Sequence, residues 1–140
     1  MNIVVHSKSA GKQALVNATA HLYKQELNIS NSKYTVEIQF KKGLANVDGM
    51  KGSVCEIAPK HILMLLDADL KQERLFETLA HEMVHVKQYA KGQYKTIRTK
   101  RFWMGSHVKA DYFDQPWERE AMSKEKLLAS KIYAIIAQAK

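Results

Sequence analysis

Little in this chain of 140 residues is built for crosslinks, repeats or membranes. It has one cysteine, Cys55, so no internal disulfide can form. That suits a reducing compartment and leaves Cys55 as a small strand or core residue. Two prolines and six glycines are too few for a collagen-like or low-complexity tract. No repeat or linker divides the sequence, and its length suits one small domain over residues 1–140 with one core. The longest apolar run, Ile62 to Leu66, cannot span a bilayer. Met1 to Val5 is too short for a signal peptide and runs into His6-Ser7-Lys8. A cytoplasmic protein without a membrane partner is expected. Acidic residues are also scarce, 14 against 22 basic ones, for a net charge of +8. Between Lys87 and Ala110 there are none.

What is present begins with His81-Glu82-Met83-Val84-His85, the H-E-x-x-H pattern of helix-borne zinc sites. Residues i and i+4 lie on one helix face, so two imidazoles there can reach one metal. Glu82, one step round, can take a proton from a metal-activated water. Leu75, Phe76, Leu79, Met83 and Val86 recur at helical spacing. Asp69 and Gln72 read as an N-cap with a capping box, and Gly92 as the C-terminal stop.

The remaining pattern is that of an α+β domain: a small, mostly antiparallel sheet packed against an N-terminal helix, the central H-E-x-x-H helix and a C-terminal helix. The first helix is expected from Gly11 to Asn28, with Ala14, Leu15, Ala18 and Leu22 on its stripe. Tyr34 to Phe40 alternates as a half-buried strand, and a short strand is expected near Leu44 to Val47. Ser53–Ile57 and His61–Leu66 flank Ala58-Pro59-Lys60 as a hairpin. The segment after Gly92 reads as irregular. Pro116 opens the last helix.

A catalytic zinc takes three protein ligands and keeps one position for water. His107, Glu118 and Glu120 are the candidates for the third. Glu120 adjoins Ala121 on an apolar stripe with Leu128, Ile132 and Ile135, which points it inward, whereas Glu118 lies about 200° from it on the helical wheel. An inward carboxylate needs a counter-charge, and zinc would be one.

The span from Ser53 to Ala121, carrying His81-Glu82-x-x-His85 and then Glu120-Ala121, resembles the gluzincin clan of zinc peptidases. It is similar in size to minimal gluzincins and to SprT-like or ImmA/IrrE-like domains of bacteria and phages. The resemblance implies Zn2+ held by His81, His85 and Glu120, with Glu82 as general base of peptide hydrolysis. It implies an edge strand above the zinc helix, here within Gly52 to Ile57, on which a peptide or protein substrate pairs. Tyr112 and His107 are candidates to stabilise the oxyanion. Lys124 stands where thermolysin-type enzymes carry an aspartate that orients a histidine, and SprT-type proteins take a histidine as third ligand, which His107 would supply.

The acid-free tract holds Lys87, Lys91, Lys95, Arg98, Lys100 and Arg101, interleaved with Tyr89, Tyr94, Phe102 and Trp103. Cations fit phosphates and rings fit bases, so nucleic acid is a candidate partner. The alternative expectation is therefore a zinc-containing nucleic-acid-binding or regulatory module with weak or no peptidase activity.

Overall fold

The computed structural model describes residues 1–44 and 51–138. The elements run β1 (Asn2–His6), α1 (Ala10–Glu26), β2 (Thr35–Lys41), β3 (Gly52–Ala58), β4 (His61–Asp67), α2 (Gln72–Ala90), β5 (Tyr94–Ile97), β6 (Lys100–Trp103), β7 (Ser106–Val108), a 3-10 turn (Tyr112–Asp114) and α3 (Pro116–Gln138). This is an α+β fold with two small sheets.

The larger sheet has the order β1-β2-β4-β3. β1 and β2 are parallel, because the chain crosses between them through α1. β3 and β4 form the expected hairpin, and β4 inserts between β3 and β2, which makes β2 and β4 parallel too. Three of the five strand pairings are antiparallel, yet the sheet under the helices is mixed. Two of its pairings are parallel: β2 with β4, and β2 with β1, a strand of five residues that the sequence pattern does not announce.

One face of this sheet is the core. Ile3, Val36 and Ile62 share a register line there, as do Val5, Ile38 and Met64, and all are buried. Buried residues of α1, α2 and α3 join the same apolar cluster. α1 buries Val16, Thr19, Ala20 and Tyr23 rather than Ala14 and Ala18, which are exposed. The Tyr23 hydroxyl donates to the Phe76 carbonyl 2.9 Å away.

α2 buries all five residues expected of it. Its start differs from the expected capping box. The N-cap is Lys71, without a side-chain cap bond, while Asp67 Oδ1 accepts the Asp69 N–H at 2.9 Å in a turn before the helix. Its end is as expected: Gly92 has φ +67°, and the Gly92 and Gln93 N–H groups return to the Tyr89 and Gln88 carbonyls. The segment read as irregular is the antiparallel sheet β5-β6-β7. Beyond Leu44, the short strand expected up to Val47 lies outside the described residues. Among the described residues no helix is long and apolar enough to cross a membrane.

Candidate metal centre

His81 and His85 leave α2 one turn apart, and their rings pack edge to face with centroids 4.9 Å apart. Their Nε2 atoms are 3.3 Å apart. A Glu118 oxygen from the first turn of α3 lies 3.1 Å from His81 Nε2 and 3.2 Å from His85 Nε2. Among the described residues, these three form the one His/Cys/Asp/Glu trio whose donor atoms lie within 4.8 Å of one another.

The third member is therefore Glu118, and the expectation of Glu120 is corrected. Glu120 is inward, but its counter-charge is Lys87, 2.6 Å away, with Gln88 Nε2 at 2.9 Å and Lys124 at 3.0 Å. On a helix, Glu118 sits about 60° from Ala121 and Glu120 about 100°. The stripe that meets α2 is Glu118, Ala121, Glu125, Leu128 and Ile132, at spacings of i, i+3, i+7, i+10 and i+14. Ile135 is exposed and falls outside it. His107 is also displaced from its expected place. It lies exposed on β7, its ring tilted 35° to that of Phe102 with centroids 5.4 Å apart, and belongs neither to the trio nor to the cleft wall.

Behind each imidazole stands a second partner. His81 Nδ1 meets Glu125 Oε2 at 3.1 Å, and His85 Nδ1 meets Gln88 Oε1 at 2.8 Å. An ionised carboxylate only accepts, so Nδ1 of His81 carries the proton there. Both Nε2 lone pairs then converge on the Glu118 carboxylate. Three electron-rich atoms in contact call for a cation or for protons. Without a metal, protons serve. Burial lowers both histidine pKa values, but the Glu118 hydrogen bond and the Glu82 charge outweigh it and the net shift is upward. For Glu118, burial raises the pKa, but the two imidazoles outweigh it and hold the carboxyl at about 2.

The donor set fits zinc. Ligands at 2.0–2.1 Å on tetrahedral corners stand about 3.3 Å apart. The separations here are 3.1, 3.2 and 3.3 Å. Zinc, nitrogen and carboxylate oxygen are matched in type as well.

Glu82 is 5 % exposed beside the trio, and burial pushes its pKa up. The backbone of β3 presses on it. A Cβ on Gly52 would meet Glu82 Cγ at 3.0 Å and Thr78 Cγ2 at 3.0 Å, so a glycine permits this approach. β3 is an edge strand of the sheet, where it was expected. Tyr112 donates from its hydroxyl to Glu118 Oε1 at 3.2 Å, and burial followed by the Glu118 charge lifts its pKa to about 12. The hydroxyl therefore stays a donor at neutral pH. A cleft of about 740 Å³ opens over these groups, lined also by Lys51 to Val54, Tyr89, Tyr94, Tyr112 and Trp117.

Three contributors escaped sequence reasoning: Glu125, Gln88 and Gly52. Glu125 was legible as Glu118 plus seven on one helix stripe, and Gln88 as His85 plus three. Nothing local marks Gly52, whose role depends on how the sheet meets α2.

The basic tract divides. Lys87 is 5 % exposed and paired with Glu120, so it is removed from the expected nucleic-acid contacts. Lys91, Lys95, Arg98 and Lys100 are exposed. Arg101 is half-buried, its guanidinium 5.3 Å from the Trp117 ring centroid. No known protein family, curated protein or solved structure matches this chain.

Proposed function

We propose that this chain is a zinc-dependent peptidase of gluzincin type, with His81, His85 and Glu118 as ligands and Glu82 as general base. One observation carries the reading: three donor atoms converge at tetrahedral spacing beside a buried glutamate at the floor of an open cleft. A purely structural zinc site closes with four protein ligands and has no use for a base. When bound, zinc acidifies a water and polarises a carbonyl as a Lewis acid. The chain's own residues do the rest. Glu82 takes the proton of the attacking water and passes it to the leaving amine. Its upward shift suits that exchange, because a carboxyl with a raised pKa both accepts and returns a proton. Tyr112 directs its O–H over the trio, where a tetrahedral oxyanion would form. The edge strand β3 offers backbone groups on the cleft wall, where an extended peptide can pair.

Glu82→Gln tests the proposal. Zinc stoichiometry should stay at the wild-type level and peptide hydrolysis should disappear. Cleavage at the wild-type rate by that variant rules out Glu82 as the base.

A second reading, a zinc-containing nucleic-acid-binding or regulatory module, draws support from the sheet β5-β6-β7. Cross-strand register puts Lys95, Phe102 and His107 on one face with Ile97 and Lys100. Tyr94 and Trp103 lie on the opposite face, against Trp117. The first face combines cations with rings, as single-strand binders do. Binding of a single-stranded oligonucleotide should weaken steeply with salt, and triple alanine replacement of Lys95, Arg98 and Lys100 should flatten that slope. An absence of binding at low salt would remove this reading.

A further inference from the structure

Gln88 is 1 % exposed, and every polar atom of its side chain has a partner. Its Nε2 lies 2.9 Å from the Trp117 carbonyl and 2.9 Å from Glu120 Oε1. Both of those atoms only accept, so the amide must turn its two N–H groups toward them. Its oxygen is then forced to face His85 Nδ1, 2.8 Å away, and that nitrogen must donate. With Nε2 given to a metal, the one proton of His85 then sits on Nδ1. The amide orientation follows from its neighbours, and the histidine tautomer follows from the amide.

The acceptor that sets this chain of consequences is itself held. Lys87 and Lys124 both reach Glu120 Oε2, at 2.6 and 3.0 Å. With two ammonium groups donating to it, Glu120 is held as an acceptor toward Gln88. Trp117, Glu118 and Glu120 lie within the first five residues of α3. A side chain that grips Trp117 and Glu120 also fixes where Glu118 stands between them.

We propose that Gln88 is a positioning residue that locks His85 in its Nδ1–H tautomer and clamps the first turn of α3 so that Glu118 meets His85. The proposal rests on the zinc reading of the trio. It also makes the two imidazoles unlike: His81 is backed by a carboxylate and His85 by a neutral amide.

The test uses Gln88→Met, which keeps length and removes polarity, and Gln88→Glu, which keeps an acceptor for His85 but sets an oxygen against Trp117 and Glu120. Two measurements apply to each folded protein. The first is zinc affinity by competition with a chelator. The second is the tautomer of His85 in metal-free protein that also carries Glu118→Ala, so that no carboxylate competes at Nε2, read from imidazole 15N shifts at a pH where the ring is neutral. Gln88→Met should lose about 10–100-fold in affinity and show a mixture of Nδ1–H and Nε2–H forms. Gln88→Glu should keep the Nδ1–H form and still lose affinity, because only the clamp is broken. If Gln88→Met does not fold, Gln88→Glu alone decides the clamp. A pure Nδ1–H signal in Gln88→Met would overturn the lock, and wild-type affinity in Gln88→Glu would overturn the clamp. Failure of the wild type to bind zinc would instead sink the metal reading, while the tautomer measurement still judges Gln88.

Discussion

Two clusters in this molecule use the same side chains, two histidines and a glutamate. On the open face of the sheet, Glu37 gives one oxygen to His6 at 3.3 Å and the other to His61 at 2.9 Å. The imidazoles sit on strands either side of β2, and the carboxylate spreads between them. Between α2 and α3, His81 and His85 share one Glu118 oxygen, and their own nitrogens touch. The sheet histidines have 50 % and 37 % of their side chains exposed, the helix pair 14 % and 12 %. On the open face, water solvates each group and no convergence is required. Between the helices, burial withholds water, and Glu125 and Gln88 turn both rings inward. Composition is equal, so what separates a candidate metal centre from a surface ion pair is backing and burial.

The comparison breaks most sharply at the ligands. Glu118→Ala should lose stoichiometric zinc and the rise in Tm that zinc confers, measured by metal analysis and thermal melts with and without chelator. Glu120→Ala should keep zinc at reduced affinity and lose about 1–3 kcal/mol of stability in denaturant titration, because Lys87 is left buried without its partner. Zinc lost in Glu120→Ala and kept in Glu118→Ala would reverse the assignment.

Glu125→Ala should weaken zinc about 10–100-fold while leaving stoichiometry at saturation unchanged. Chelator competition reads this directly. An unchanged affinity would mean that backing is not what distinguishes the two clusters.

Acid should sharpen the contrast further. Glu118 lifts the pKa of His81 and His85 above their ordinary value against the lowering by burial. In metal-free protein their pairing stabilises the fold below that ordinary value and is lost as pH rises through the raised one. Glu118, held at about 2, contributes above the ordinary carboxylate range and loses its part only as pH falls toward that value. Zinc must displace the imidazole protons. The zinc-induced rise in Tm should therefore be small in mild acid and grow steadily into alkaline pH. A rise independent of pH would exclude the histidines as ligands.

The smallest effects belong to the sheet. His6→Ala and His61→Ala should leave zinc affinity unchanged and shift stability by less than about 1 kcal/mol, as exposed ion pairs do. Loss of zinc from either would show that the open cluster binds metal after all.

Much of this was legible from local pattern. Period-two alternation marked β2, the proline turn marked the β3–β4 hairpin, and Gly92 marked the end of α2. H-E-x-x-H put two imidazoles on one helix face, because spacing along a single helix is a local property. The placement of Glu118 was half legible. Its stripe with Ala121 and Glu125 is written in α3, but Glu120 also points inward, and choosing between them requires knowing that Lys87 waits for it on α2. β1 stayed hidden because five residues with no flanking turn resemble any short apolar start.

The sequence by itself determined the α+β pattern, the helix that carries His81, Glu82 and His85, and the charge of the tract after it. Those follow from periodicity and composition, which act over a few residues. The tertiary structure alone decided which glutamate meets the histidines, which lysine is buried, that Gln88 and Glu125 back the rings, and that Gly52 brings β3 against Glu82. Each of those depends on two elements far apart in the chain packing at one angle and one register, and side-chain contact between elements is not encoded in the spacing within either.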